Sequence, residues 1–209
     1  MNMLWSLLAV LAGYLIGSLS FAVIVSRVMG LSDPRTYGSK NPGATNVLRS
    51  GSKAAAIVTL LLDALKGWLP VMLVKWFGAA YGLGEGTQAM VGLAAFVGHL
   101  APVFFGFAGG KGVATALGVL LAFEPMLAAA TVLTFAILVF FSRYVSLASM
   151  VAALFAPAYY LLGDGVGWDA VGAKTLAMSA MGLLLIYRHR ENINRLAAGK
   201  EPKIGQKKK

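Results

Sequence analysis

Stretches long and apolar enough to cross a bilayer dominate this 209-residue chain. A helix needs about 20 apolar residues to cover a hydrocarbon core of roughly 30 Å. Residues 3–26 carry no charge at all and predict one such helix. Residues 54–78 predict a second, interrupted by Asp63 and Lys66, and residues 87–100 begin a third that runs into His99, Pro102 and a glycine-rich break at 106–112. Val113–Phe123 is apolar but short, about 16 Å at 1.5 Å per residue, which suits a half-helix or a steeply tilted one. Glu124-Pro125 then punctuates the chain, because the residue before a proline is pushed out of helical geometry. Residues 126–141, 144–162 and 170–187 complete the set, the last with one snorkelling lysine, Lys174. The expected architecture is an all-α integral membrane protein of about seven transmembrane helical segments, or five spans plus a re-entrant pair. No domain boundary or repeat is visible, so residues 1–209 are expected to form a single domain ending in a basic tail, 188–209. Composition agrees. The chain is 58% apolar and only 12% charged, about half the charge of a soluble domain, and a soluble fold this small could not hide that much apolar surface.

The net charge of +10 is unevenly distributed. Five Lys/Arg fall within 27–53 and eight within 188–209, ending in Lys207, Lys208 and Lys209. Basic loops stay on the cytoplasmic side and are attracted to anionic lipid headgroups. Loops 27–53, 98–112 and 188–209 and the short turn at Arg143 are therefore expected inside. An odd number of crossings puts the N-terminus outside. The opposite loops, 79–86 and 163–169, are short, glycine-rich and acidic. The N-terminal run lacks a basic leader and is too long for a cleaved signal. No basic soluble module exists to bind nucleic acid. The absence of cysteine excludes disulfides, thiol catalysis, Fe–S clusters and Cys-type zinc sites. With two histidines and eight carboxylates, a protein-built multi-metal centre is not expected, and neither is a cofactor.

Three loops carry polar chemistry. In YGSKNPGATNVLR (37–49), Gly38, Pro42 and Gly43 define tight turns; Ser39, Asn41, Thr45 and Asn46 offer hydrogen bonds; Lys40, Arg49 and Lys53 add positive charge. Such a loop suits a phosphate oxyanion, although an ordinary polar membrane loop reads similarly. In GHLAPVFFGFAGGKGVAT (98–115), the run Gly109-Gly110-Lys111-Gly112 leads into a helix, so free N–H groups, the positive dipole end and an ammonium converge. It is no Walker A loop, since Phe105 stands where the first glycine belongs and Gly112 replaces the Ser/Thr that would hold Mg²⁺. A glycine-broken half-helix also recurs in transporters. In RHREN (188–192) the last helix leaves the membrane, and by itself this reads as a charged helix end. Asp63 and Lys66 lie three apart on one helical face; they either pair structurally or hold a basic site residue in place. Ser146 and Ser149 share a face beside Arg143, with N-capping the plain alternative for Ser146.

Taken together, GSKNPGATN (38–46) through Arg49, GH (98–99) through FAGGKGVAT (107–115), and HREN (189–192) resemble the bacterial acyl-phosphate:glycerol-3-phosphate acyltransferases, the PlsY family. DALKG (63–67) fits a fourth, weaker pattern, and the match follows nearly the whole chain in order. The resemblance implies a multi-pass protein of the bacterial cytoplasmic membrane that moves a fatty acyl group from acyl phosphate to sn-glycerol 3-phosphate. The products would be lysophosphatidic acid and phosphate. A separate soluble enzyme would supply the acyl phosphate. Ser39, Arg49, Lys111, His189 and Asn192 are implied as catalytic. Asn41, Gly43, Ala44, Thr45, Asn46, His99, Gly109, Gly110, Gly112, Thr115, Ser149 and Glu191 are implied as substrate- or phosphate-binding, with Asp63 and Lys66 in support.

Both substrates are anions, which fits the cationic loops, and an acyl tail fits the apolar helices. Acyl phosphate is a mixed anhydride, so the leaving group comes ready-made. There is no cysteine, no Gly-x-Ser-x-Gly elbow and no His-x4-Asp pair, so direct transfer is expected rather than an acyl-enzyme. The resemblance suggests the donor's own phosphate as proton acceptor, with His189 second in line because imidazole titrates near neutrality. The competing reading is a small anion or lipid permease built on the same broken helix. It requires access from both faces, and the outer loops carry no basic residue.

Overall fold

The computed structural model describes residues 2–205; Lys207, Lys208 and Lys209 of the basic tail lie outside the described residues. Ten α-helices follow one another: α1 (Asn2–Gly17), α2 (Phe21–Val28), α3 (Ala44–Val47), α4 (Lys53–Phe77), α5 (Glu85–Leu100), α6 (Val113–Phe123), α7 (Pro125–Ser142), α8 (Val145–Leu162), α9 (Gly172–Arg188) and α10 (Arg190–Ala197). Each of the seven expected segments is helical, the first as two helices rather than one. Four stretches are long and apolar enough to cross a membrane: Lys53–Tyr81, Glu85–Phe105, Pro125–Ser142 and Val145–Leu162. A bent pair, Met3–Gly17 with Phe21–Val28, makes a fifth. Helices suit this setting because each satisfies its own backbone polar groups where no water can.

The single helix expected over residues 3–26 is in fact broken, with a 44° bend between α1 and α2. Small residues at Gly17, Ser18 and Ser20 weaken the turn. The Ser18 hydroxyl donates back to the Tyr14 carbonyl at 2.8 Å. The Leu19 carbonyl, freed by the break, accepts from Lys66 Nζ at 2.6 Å. A carbonyl without a helical partner inside lipid must find a donor, and the buried lysine of α4 supplies it.

The chain divides into two compact units, Met1–Phe123 and Glu124–Lys209. The division falls at Glu124-Pro125, where Pro125 occupies the first turn of α7, the one helical position that needs no proline N–H. In the first unit α1 packs along α5, and α4 along both α6 and α5. Glycines permit close backbone approach: Gly67 lies against the Thr115 carbonyl, Gly118 against that of Ala64, and Gly98 against that of Tyr14. Such small-residue seams are how helices associate in lipid, where no hydrophobic effect drives them together. Ser52 caps α4 by accepting from the Ala55 N–H at 3.2 Å. In the second unit α8 packs against α7 and α9. Large apolar side chains such as Leu7, Leu61, Phe140 and Leu183 point outward, the distribution expected when lipid is the solvent.

Candidate anion-binding active site

The first loop is organised by a single buried side chain. Asn46, 2% exposed, donates from Nδ2 to the Pro34 carbonyl (2.6 Å) and the Tyr37 carbonyl (3.2 Å). Its Oδ1 accepts from the Ser39 N–H at 3.0 Å and lies 3.5 Å from Arg49 Nη1. Both amide protons are spent on the loop. Asn46 thus shapes the stretch of backbone that carries Ser39. Gly38, in the left-handed region at φ 59°, brings its Cα against the Asn46 and Arg49 side chains, a place with no room for a Cβ. Lys40 shares the left-handed conformation at φ 54°. Ser39, Lys40, Thr45 and Arg49 are left exposed, with Asn41, Gly43 and Ala44 half-buried. At the start of this loop Arg35 grips Asp33, Nη2 to Oδ2 at 2.7 Å, and its hydrogen bonds hold the Asp33 carboxyl below the usual carboxylate range.

The second loop turns back on the end of α5. The Gly110 N–H donates to the His99 carbonyl at 3.1 Å, so this amide is committed to the loop and does not point at a ligand. Gly109 and Gly110 are both buried, and Lys111 is half-buried. Gly112 stands at φ 84° with the Phe96 ring packed against it, and α6 begins one residue later. The amides of the first turn of α6 thus follow directly on Lys111. Thr115 is fully buried, its hydroxyl without a hydrogen-bond partner, and its carbonyl faces Gly67. The two loops meet: a Cβ on Gly110 would stand 2.8 Å from the Pro42 carbonyl.

Beneath them lies the charge pair read from the sequence, now with a third member. Lys66 Nζ is 2.8 Å from Asp63 Oδ1, and His99 Nδ1 is 3.6 Å from the same oxygen. All three side chains are buried.

The second unit holds the other expected residues. His189 sits between α9 and α10, and its Nδ1 is 2.8 Å from the Leu185 carbonyl. A carbonyl only accepts, so Nδ1 carries a proton. Asn192 is buried and donates from Nδ2 to Glu201 Oε1 at 2.6 Å. Ser146 Oγ donates to the same oxygen at 2.6 Å, and Arg195 Nε to Oε2 at 2.7 Å. Burial alone would push the Glu201 carboxyl up, but the three donors outweigh it and hold it below the ordinary glutamate value. Glu201 escaped the sequence reading; the available signal was one of only two carboxylates in a basic tail. Ser149 turns its hydroxyl back to the Val145 carbonyl at 2.9 Å, and Glu191 is exposed.

Fold and loops define a multi-helix membrane protein whose polar chemistry is held on glycine-rich cationic segments beside the ends of its helices. The sequence profile of the glycerol-3-phosphate acyltransferase family matches residues 7–199. A glycerol-3-phosphate acyltransferase of Albidiferax ferrireducens is 69% identical over 207 residues, covering 99% of this chain and 92% of the relative. One from Cupriavidus pinatubonensis is 61% identical, covering 98% of each. Among solved structures, PlsY, an integral membrane glycerol 3-phosphate acyltransferase in its glycerol 3-phosphate form, superposes with a TM-score of 0.86 at 40% identity, covering 96% of both chains. Its lysophosphatidic acid form gives 0.85 at 39% identity. The chain belongs to the glycerol-3-phosphate acyltransferase family.

Proposed function

We propose that the protein transfers a fatty acyl group from acyl phosphate to the primary hydroxyl of sn-glycerol 3-phosphate. The hydroxyl oxygen attacks the acyl carbon of the mixed anhydride, the bond from that carbon to the bridging oxygen breaks, and phosphate leaves. Lysophosphatidic acid and inorganic phosphate are the products. The observation that carries this reading is the second loop, where Lys111 stands on buried glycines at the N-terminus of α6, with Arg49 and Ser39 exposed on the loop that touches it. Two phosphate-bearing substrates need cations and dipole ends of this kind. The family match favours this enzyme over the permease alternative.

Direct transfer fits the residues. Ser39 is held through its backbone by Asn46, and among the described residues of its unit no histidine or carboxylate is hydrogen-bonded to its hydroxyl, so it serves as a donor to a phosphate or to the acyl carbonyl. The departing phosphate takes the hydroxyl proton. His189 is the second candidate for that role, since imidazole is the side chain that ordinarily titrates near neutrality. Positioning supplies much of the rate, because holding two reactants in line is worth about 7–11 kcal/mol at its best. Glu201 fixes the orientation of the Asn192 amide in the second unit. The protein works in the bacterial cytoplasmic membrane with its basic loops inside and its N-terminus outside. There it draws acyl phosphate from a soluble enzyme, and needs no cofactor.

The deciding assay uses purified protein, palmitoyl phosphate and labelled glycerol 3-phosphate. Labelled lysophosphatidic acid is expected with palmitoyl phosphate and none with palmitoyl-CoA. Turnover with the thioester alone would overturn the donor assignment, and turnover with neither would overturn the reaction.

A further inference from the structure

The three ionisable side chains beneath the loops occupy the most expensive place in the chain to keep them. Charge inside a membrane-spanning bundle is rare and usually tied to a task, and an apolar trio of similar volume would often be at least as stable. Part of the task is visible. Lys66 ties the break between α1 and α2 through the Leu19 carbonyl. The remainder points the other way, along His99. One edge of its imidazole, Nδ1, faces Asp63. The other edge, Nε2, lies directly against the Cα of Gly110, in the space a Cβ would occupy. The His99 carbonyl holds the Gly110 N–H as well. One residue thus fixes Gly110 by backbone and by ring, immediately before Lys111.

We infer that His99, oriented by Asp63, is a positioning residue that sets the Gly110–Lys111 backbone and so aims the Lys111 ammonium at a substrate phosphate. The inference rests on the acyl-transfer reading above. It assigns His99 no contact with substrate: the ring is the floor of the loop. Asp63 prevents the ring from rotating, and Lys66 keeps the carboxylate compensated in a place that water does not reach.

The test is a double-substitution cycle with a kinetic readout, KM for palmitoyl phosphate and for glycerol 3-phosphate each measured with the other saturating. Gly110→Ala forces a methyl against the ring, and His99→Ala removes the floor. Each is expected to raise KM for one of the two phosphates by about tenfold or more, the scale of a small displacement of a binding group. In His99→Ala/Gly110→Ala the methyl gains the room the ring vacated but still meets the Pro42 carbonyl, so the double variant should lose clearly less than the product of the two single losses. A loss equal to the product of the two single losses would overturn the contact. The second arm is Asp63→Asn/Lys66→Met, which removes both charges together and leaves neither buried alone. It is expected to raise the same KM by about tenfold with kcat within about twofold. A purely structural pair would lower the yield of folded protein and leave the KM of what remains unchanged, and that result would overturn the role of Asp63. If that variant does not insert, the cycle at 99 and 110 decides. Wild-type turnover keeps the two readings apart: an inactive wild type overturns the acyl-transfer reading. The same cycle, read by calorimetric binding of inorganic phosphate, then tests the positioning on its own.

Discussion

Arg49 and Lys111 reach the two loops of the first unit by different routes. Arg49 is exposed on a short turn propped by Asn46, while Lys111 stands half-buried on glycines. A cation that meets a phosphate dianion in a partly dry site contributes strongly, because its hydrogen bonds are charge-assisted. Lys111→Ala and Arg49→Ala are therefore each expected to abolish measurable turnover while the variant still inserts and elutes as a folded species. Unchanged kinetics in both would reduce the loops to scaffolding. Ser39 separates two mechanisms. As a single hydrogen-bond donor to the developing oxyanion, it should cost about 10²–10³ in kcat when changed to alanine, roughly 3–4 kcal/mol. Incubation with palmitoyl phosphate alone should leave the protein unacylated, and initial rates should be sequential. An acyl-Ser39 ester that glycerol 3-phosphate discharges, with parallel-line kinetics, would replace direct transfer by a covalent route. His189→Ala rescued by added imidazole would return the proton to the protein.

At the scale of the element, α4 and α6 approach through Gly67 and Gly118, where backbone meets backbone. Gly67→Ala would push a methyl into the Thr115 carbonyl, and overpacking of this sort costs about 1–3 kcal/mol. A lowered thermal midpoint in detergent is the expected reading. In the second unit the segment after α10 is pinned by Glu201 and by a backbone pairing, the Ile204 N–H donating to the Arg143 carbonyl at 2.9 Å. Glu201 has its folded pKa below its ordinary value. Its contribution is therefore present above the ordinary glutamate range and is lost as pH falls through the depressed folded value. Hydrogen exchange in α10 and residues 199–205 should accelerate on acidification through that window, and Glu201→Gln should remove the pH dependence. Helices of this kind were legible because apolar runs of fixed length leave little choice, and the boundaries of α6 and α7 followed from Gly112 and Pro125. The break at 18–20 was not, since nothing in a charge-free run announces a bend whose freed carbonyl is satisfied by a lysine 47 residues away. The same holds for His99 beside Asp63 and for Glu201 beside Asn192 and Ser146. The residue types were readable as polar and out of place, but their partners are set by packing. Asn46 is alike: its place in a phosphate-suited loop was legible, and the backbone groups its amide holds within that loop were not.

For the whole molecule the open quantity is orientation, which follows from charge rather than from packing. Five basic residues in 27–53 and eight in 188–209 resist transfer across the membrane, while 79–86 and 163–169 carry none. Short loops obey this bias most closely. The same orientation would serve the proposed reaction, since it would put Arg49, in one of the two basic loops, on the side from which soluble anionic substrates are proposed to arrive. The chain has no cysteine of its own, so one introduced thiol reports cleanly. Ser50 and Gly84 are both exposed, and Gly84 has open space around its Cα; Ser50→Cys gives up only the local bond from the hydroxyl to the Val47 carbonyl. Ser50→Cys should be protected from a membrane-impermeant maleimide in intact cells and become reactive when the membrane is permeabilised. Gly84→Cys should label in intact cells. The reverse pattern would place Arg49 and the rest of its loop outside, away from both substrates, and the orientation and the proposed acyl donor would fall together.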